Sequence, residues 1–360
     1  MNILALNSGS STLKFGLYRV QASSVDALRC ETIATSDPAQ ASSRLGRLLA
    51  EPGMPQPDAI GHRIVHGGPF LRQHCRVDEA VLRQLQAATA FAPLHTPAAL
   101  ALIRFTQVHF PGVPQVACFD TQFHVGLPDV ARVLPIAKEL LSEGIQRYGF
   151  HGLSLESIVR QLGPALPQRL VIAHLGNGAS ITAVKAGLSI DTSMGMTPSG
   201  GVIMGTRSGD LDPGVLVYLM REKKFDAARL GAMLDQRSGL LGISGLSGDM
   251  RRLHEAAASN REARLAIEMF CYSVRKQVAA MVAVLGGLDT LVFTGGIGEN
   301  DAQVRTEICA GLAWIGISLD DARNRAARNF VSDGASRCQV LVLASQEDEQ
   351  IARHAWAALA

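Results

Sequence analysis

Lysine is scarce in this chain: 6 Lys stand against 28 Arg, and the 34 basic residues face 32 acidic ones, which leaves a formal charge of +2. So even a balance gives no electrostatic reason to expect nucleic acid or an anionic membrane as a partner. Aromatic residues make up only 5%, and the six cysteines (Cys30, Cys75, Cys118, Cys271, Cys309 and Cys338) show no C-x-x-C spacing. Neither a disulfide framework nor a zinc site is indicated, and the thiols read as reduced and mostly buried. Long hydrophobic runs are missing too, since stretches such as 278–288 fall short of the roughly 20 residues a membrane helix needs. A strand pattern beginning at residue 2 leaves no room for a secretory signal, so a cytoplasmic protein is expected. A G-x-x-x-x-G-K-[ST] motif is also absent, which excludes a P-loop protein.

What is present fits a soluble α/β protein: 360 residues, 47% apolar and 18% charged, enough for two domains with their own cores. Residues 170–173 read as a buried strand that breaks at Gly176-Asn177-Gly178-Ala179-Ser180 and resumes at 181–184. Glycines there allow positive φ and bring backbone N–H groups close to an anion, and Asn177 and Ser180 add neutral donors. A phosphate is the expected guest. The chain opens the same way, with a strand at 2–6, the turn Asn7-Ser8-Gly9-Ser10-Ser11-Thr12 and a return strand at 14–18. A third loop, Thr294-Gly295-Gly296-Ile297-Gly298-Glu299-Asn300, follows the apolar run 291–293 and precedes a helix from about 301. One glycine turn is usually hairpin punctuation. Two of similar design in two halves predict a duplicated fold closing around one nucleotide.

Between these landmarks, residues 21–57 are polar and mixed and yield no clear element. Residues 59–65 read as a strand ending in His66-Gly67-Gly68, 79–92 and 96–107 as helices, and 115–119 as a short strand that delivers Asp120 at its C-terminal end, where α/β sheets meet ligands. Helices are predicted at 153–162, 213–221 and 225–236. Ser259-Asn260-Arg261-Glu262 is a capping-box signal for a long helix reaching about 285. Its apolar stripe, Ile267, Phe270, Val274, Val278, Met281 and Val284, is read as core, with a subunit interface as the alternative. A strand at 340–343 and a helix at 346–359 close the chain.

The segments Asn7-Ser8-Gly9-Ser10-Ser11-Thr12-Leu13-Lys14, His62-Arg63-Ile64-Val65-His66-Gly67-Gly68, Ala92-Pro93-Leu94-His95, Phe119-Asp120-Thr121 and Arg147-Tyr148-Gly149-Phe150-His151-Gly152, with the loops above, closely resemble the acetate kinase family. The likeness runs from residue 1 to Ile351-Ala352-Arg353, with the motifs in family order. It implies an α/β, duplicated actin-like (ribonuclease H-like) two-domain fold with a nucleotide cleft between the domains. The expected division is 1–121 with 348–360 against 122–347. The implied reaction is ATP and acetate giving ADP and acetyl phosphate, reversibly and by direct in-line transfer, with Mg²⁺ or alternatively Mn²⁺, in a homodimer. A propionate or other short-chain acyl kinase is the alternative.

Elementary chemistry agrees. A carboxylate is already ionised near neutral pH and needs no base, but it must approach a polyanion, so the site needs cations. Arg63, at a strand end, and Arg207, in Met204-Gly205-Thr206-Arg207-Ser208-Gly209-Asp210, are the candidates, because a guanidinium holds carboxylate or phosphoryl oxygens in a fork. Any one of 28 arginines is ordinarily a surface residue; the glycine-flanked settings and the resemblance single out these two. His151, between Phe150 and Gly152, reads on its own as a packed core histidine; the resemblance gives it transition-state stabilisation. His95 matches a family site histidine of lesser weight. His62, His66 and His174 shape loops, with His174 on the nucleotide side.

The resemblance makes Asp120 the catalytic aspartate and Glu347 the metal-associated glutamate, with Asn7 beside it; their plainer roles are a turn cap and a helix N-terminal charge. Ser10, Thr12 and Lys14 match the first phosphate loop. Gly176, Asn177 and Gly178 match the phosphate turn, and Gly296, Ile297, Gly298 and Asn300 the adenosine loop. The acyl pocket maps onto Val65, Leu94, Phe150 and Pro198. A β-branched Val65 favours a two-carbon acid, within the about 1–3 kcal/mol that one methylene can be worth. The chain departs from the family in being some tens of residues shorter before Arg63 and in the loop Met194-Gly195-Met196-Thr197-Pro198-Ser199-Gly200-Gly201. A sugar kinase would use Asp120 as a base. A non-enzymatic nucleotide switch would leave Arg63, Arg207 and His151 without a purpose.

Overall fold

The structure, a computed structural model, describes the chain from Met1 to Ala360 apart from residues 10, 11, 35–37, 50 and 328 and the side chains of 34, 38, 39, 41 and 42. Two sheets organise it. The first holds β1 (Asn2–Ser8), β2 (Thr12–Val20), β3 (Val25–Ala34), β4 (Ala59–Ile64), β5 (Cys75–Arg76) and β6 (Gln115–Phe119) in the order β3-β2-β1-β4-β6-β5. The second holds β7 (Arg169–Leu175), β8 (Ala179–Lys185), β9 (Leu188–Thr192), β10 (Thr290–Thr294) and β11 (Gln339–Val342) in the order β11-β10-β7-β8-β9.

The duplication expected from the sequence is visible in this topology. Each sheet opens with an antiparallel meander, β1-β2-β3 or β7-β8-β9, and then adds parallel strands beside its first member: β4 and β6 in one, β10 and β11 in the other. Parallel strands end on the same edge. That edge therefore presents Asn7 from β1, the Arg63 end of β4 and Asp120 after β6, and in the second sheet the Gly176 turn after β7, Gly295 after β10 and the segment after β11.

The strands of these edges are apolar on both faces because both faces are covered. In β1, Leu4 and Leu6 pack with Phe15, Leu17, Leu45 and Leu49, while Ile3 and Ala5 pack with Ile351, Ala352 and Ala355 of the closing helix Glu347–Ala357. Gly61 is required where that helix crosses β4, since a Cβ there would lie 2.6 Å from the Ile351 side chain.

Several sequence expectations need revision. The uninformative stretch 21–57 contains β3 and the helix Pro38–Leu49. β3 is an edge strand with one neighbour, so it tolerates a polar outer face and carries little apolar signal. The glycine-rich segment after β10 is not an open turn but the short helix Gly295–Asn300, followed by the helix Ala302–Ala310. Gly295 stands at φ 78° with the Leu175 carbonyl 2.8 Å from where a Cβ would be, so a side chain at this strand-to-helix junction would be strained and would have to displace the Leu175 backbone. The long helix runs Arg261–Leu285; its cap is Asn260, whose side chain accepts from the Ala263 N–H at 2.8 Å, and it ends on left-handed Gly286. The stripe from Ile267 to Met281 is core, but Val284 is 48% exposed. Four of the six cysteines are buried and all are free. Among the described residues no helix is long and apolar enough to cross a membrane.

Candidate active site

The edges of the two sheets face one cavity of about 470 Å³. Asn7, Thr12, Lys14, Arg63, Val65, Asp120 and Glu347 line it on one side. Phe150, His151, His174, Gly176, Asn177, Gly178, Pro198, Arg207, Gly296 and Asn300 line it on the other. Residues 340 positions apart in the chain meet there, so the three loops proposed from the sequence do converge.

A hydrogen-bonded chain runs along the first side. Arg63 donates from Nε (2.9 Å) and Nη2 (2.6 Å) to Oδ2 of Asp120, and from Nη1 to Oδ1 of Asn7 at 3.1 Å. Asn7 passes the connection on, its Nδ2 donating to Glu347 at 2.9 Å and to Asp348 at 2.8 Å. Burial opposes the charge of Arg63, but Asp120 and then Glu347 outweigh it and hold the guanidinium pKa above its ordinary value. Burial pushes the Asp120 carboxyl up to about 6, against the pull of Arg63. Glu347 goes the other way: Arg63 and His174 overcome its burial and lower it. Asp120 keeps one oxygen, Oδ1, buried and without a partner among the described residues.

The second side is built by close approach. Gly178 brings the β7–β8 turn against Arg207 and His151, since a Cβ there would lie 3.2 Å from Nη1 of the first and 3.3 Å from Nε2 of the second. His151 itself sits in the left-handed region, φ 60°, at the start of the helix Gly152–Leu162. Such a conformation in a residue with a side chain is strained and marks sites where placement matters. The His151 ring stacks on His174 at 4.2 Å, Nδ1 meets the Ser180 hydroxyl at 2.9 Å, and burial, with His174 beside it, depresses its pKa well below the ordinary value. His174 is held at about 4, first by burial, and Nδ1 meets Ser154 at 2.8 Å. Arg207 donates to the Pro198 carbonyl at 3.1 Å, which ties it to the apolar wall.

Some expected members stand apart. Ser10 lies outside the described residues. Leu94 is 48% exposed and off the cavity wall, whereas its neighbour His95 lines it. Gly298 is buried inside its short helix, where its carbonyl accepts from the fully buried Arg305 at 2.8 Å. Both ends of the Asn7 amide are already engaged within the protein. Other residues went unassigned in the sequence. Asp348 lines the cavity beside Glu347, and the acidic run Glu347-Asp348-Glu349 at a helix start was the signal for it. Glu299 accepts from the Gly295 and Ser345 N–H groups at 3.0 and 2.9 Å and ties the ends of β10 and β11 together. A second cavity of about 830 Å³ shares Gly176, Asn177, Gly296 and Asn300 with the first and adds Asp249, Met250, Arg251, His254, Ile297 and Asp301.

Two sheets of repeated topology around a cleft lined by two arginines, glycine turns and paired carboxylates define a phosphotransferase. The chain belongs to the acetokinase family, whose model matches residues 45–353. It is 41% identical to a protein named acetate kinase from Methylocella silvestris, over 99% of this chain and 98% of that one. Among solved structures it is similar to a propionate kinase from Francisella tularensis (37% identity, 99% of both chains, TM-score 0.91) and to an acetate kinase from Porphyromonas gingivalis (32% identity, 100% of both chains, TM-score 0.86).

Proposed function

We propose that this chain is an ATP-dependent acetate kinase that passes the terminal phosphoryl group of ATP to a carboxylate oxygen of acetate and, in reverse, that of acetyl phosphate to ADP. The observation that carries the reading is the convergence of Arg207 and His151 on the Gly178 turn, in one cavity with Arg63 and beside a small apolar wall of Val65, Phe150 and Pro198. The substrate oxygen attacks phosphorus as the bond from phosphorus to the ADP oxygen breaks; the electron pair leaves with ADP and no proton is transferred. Arg63 and Arg207 meet the charge shared between two anions, and a neutral His151, taking a hydrogen bond from Ser180 at Nδ1, donates from Nε2 to the moving phosphoryl.

Thr12, Lys14, His174, Gly176, Asn177 and Gly178 serve the phosphates. Gly296, Ile297, Gly298 and Asn300 shape the nucleoside side, where the larger cavity offers the room. The donor set fits Mg²⁺, or Mn²⁺, a hard cation that commonly takes one or two carboxylates. Glu347, Asp348 and the unpartnered Oδ1 of Asp120 would hold it, directly or through water, with Asn7 fixing the two acids of the helix. Bound there, the ion neutralises phosphate oxygens.

The division into 1–121 with 348–360 and 122–347, closing on nucleotide, is part of the proposal, as is work in the cytoplasm, where ATP is available. So is a homodimer. The helices Pro213–Glu222 and Ala227–Gln236 bury no residue, although Tyr218 and Met220 are more than half exposed, and the long helix turns Leu265, Met269 and Tyr272 outward at helical spacing. Sedimentation at the monomer mass would refute that part. A propionate kinase is the second reading, supported by the 37% identity to the Francisella tularensis protein. The test is acyl hydroxamate formation with ATP, Mg²⁺ and hydroxylamine and a panel of acetate, propionate, butyrate and glycerol. Acetate should lead; no hydroxamate with any acid would end the proposal.

A further inference from the structure

A second cluster of titratable side chains lies behind the cavity. Glu156, on the second turn of the helix Gly152–Leu162, places Oε2 2.5 Å from Nε2 of His354 and 4.0 Å from Nε2 of His74. His354 is on the closing helix, and its ring centroid is 3.9 Å from that of His74. His74 precedes β5, and its Nδ1 accepts the Phe119 N–H at 3.0 Å. The three side chains stand close enough to hold a metal ion. Their protons argue otherwise: Nδ1 accepts from Phe119, so a neutral His74 carries its hydrogen on Nε2 and has no lone pair there for a metal. That Nε2–H is buried, without a partner at hydrogen-bond distance among the described residues, and faces the Glu156 carboxylate.

The cluster joins three elements whose ends enter the active site. Phe119 is the last residue of β6 and precedes Asp120. His151 starts the helix that carries Glu156. Glu347 starts the helix that carries His354. At 1.5 Å per residue, Glu156 and His354 lie about 7 and 10 Å down their helices from those catalytic ends. Burial opposes a charge on Glu156, but the hydrogen bond from His354, with the His74 ring facing the same oxygen, holds its carboxyl at about 2, so it is an anion throughout the working range.

We propose that Glu156 is a positioning residue for phosphoryl transfer: one carboxylate oxygen, bonded to His354 and faced by His74, sets the mutual placement of the three elements that carry Asp120, His151 and Glu347. The inference rests on the kinase reading above. Displacing reacting groups by a fraction of an ångström costs turnover more than binding. Arg160 provides the comparison. It ties the same two helices through Gln350 (3.1 Å), Gln346 (2.5 Å) and Glu349 (3.1 Å), with no hydrogen bond or ion pair to His74 or β6 among the described residues.

The test compares Glu156→Gln, His354→Gln and Arg160→Gln in turnover, KM, thermal unfolding and hydrogen exchange at the Phe119 amide. Glu156→Gln should lower kcat about ten-fold with KM for acetate and ATP within about two-fold, and should speed Phe119 exchange. Arg160→Gln should keep kcat within about two-fold even at a comparable loss of melting temperature. An unchanged kcat in Glu156→Gln, or losses that track melting temperature alike in both variants, would overturn the proposal; so would a zinc-dependent rise in the wild-type melting temperature that Glu156→Gln abolishes. If Glu156→Gln does not fold, His354→Gln is judged by the same criteria. Phe119 exchange is read without substrate, so a wild-type protein inactive on acetate would sink the kinase reading and leave that measurement standing.

Discussion

Arg63 gives two hydrogen bonds to a single oxygen of Asp120 and leaves the other oxygen buried and without a partner among the described residues. A pair arranged only for stability would use both oxygens in a fork. The arrangement holds the guanidinium by one edge, keeps a carboxylate oxygen in reserve and presents Nη1 to Asn7. Removing one partner of a buried pair costs about 3–5 kcal/mol. Asp120→Ala is therefore expected to lose stability of that order together with activity, whereas Asp120→Asn keeps an acceptor for Arg63 and should fold while remaining inactive. Urea unfolding and turnover measured on both variants check this. An Asp120→Asn enzyme within about ten-fold of wild type would reduce Asp120 to a support for Arg63.

Arg207 is tied to the Pro198 carbonyl through Nη1, so its remaining donors are what it can offer to substrate. Arg207→Ala and Arg63→Ala should each lose about 10²–10³ in kcat, the usual worth of a donor aimed at developing charge. Arg207→Lys should not recover it, because an ammonium cannot hold the carbonyl and a substrate oxygen in one plane. Recovery by lysine would show that charge alone is used.

Much of this site was legible because its residues come in contiguous, chemically odd strings. Asn7, Arg63, Asp120 and the Gly176–Gly178 turn each end an apolar run, and a strand end is where a parallel sheet presents its polar residues. What stayed hidden depends on contacts across long sequence distances. Nothing near His74 announces that its ring accepts the Phe119 N–H, and nothing near Glu156 announces His354, 198 residues away. β3 was missed because an edge strand with one paired side needs no apolar alternation. Leu94 was placed in the pocket by position in a motif, but the backbone turns it outward and His95 inward.

The histidines set the acid limit of the fold. Burial depresses seven of them, and His62, His66, His95, His124 and His174 stand at about 4. In the unfolded chain each titrates at roughly 6.5, so as pH falls from there toward 4 the unfolded state takes up protons that the folded state refuses, and stability drops. Asp120, Asp191 and Asp348 are raised and act in the opposite sense, but they are outnumbered. The urea midpoint of the ligand-free protein should therefore be lower at pH 5.5 than at pH 7. An equal or higher midpoint would contradict the burial of these rings as neutral species.

Val65 is 8% exposed and packs with Ala92 and Phe150 in the core cluster behind the acyl wall. Val65→Ala opens space for one further methylene, and the specificity ratio of propionate to acetate should rise by about ten-fold or somewhat more, within the 1–3 kcal/mol a methylene is worth. Competing-substrate kinetics on the two acids measure it. A ratio that does not move would take Val65 out of the pocket wall.

Glu347 and Asp348 share the Asn7 amide, yet their carboxyls are shifted in opposite directions: Glu347 is lowered against its burial, first by Arg63, while burial raises Asp348. The easily ionised member is the better anchor for a cation, and the reluctant one gains most when a cation arrives. Glu347→Ala should therefore raise the Mg²⁺ concentration for half-maximal activity strongly, and Asp348→Asn should raise it less. The competing account makes Glu347 a charge at a helix N-terminus, worth about 0.3–1 kcal/mol of stability and nothing to the metal. Activity against Mg²⁺ and thermal unfolding, measured on the same preparations, separate the two: a lowered melting temperature with an unchanged Mg²⁺ curve leaves Glu347 as a helix charge, and a displaced curve with an unchanged melting temperature makes it a holder of the ion. Since Asn7 donates to both acids, Asn7→Ala should displace the Mg²⁺ curve in the same direction without removing any carboxylate, an outcome the helix-charge account does not produce.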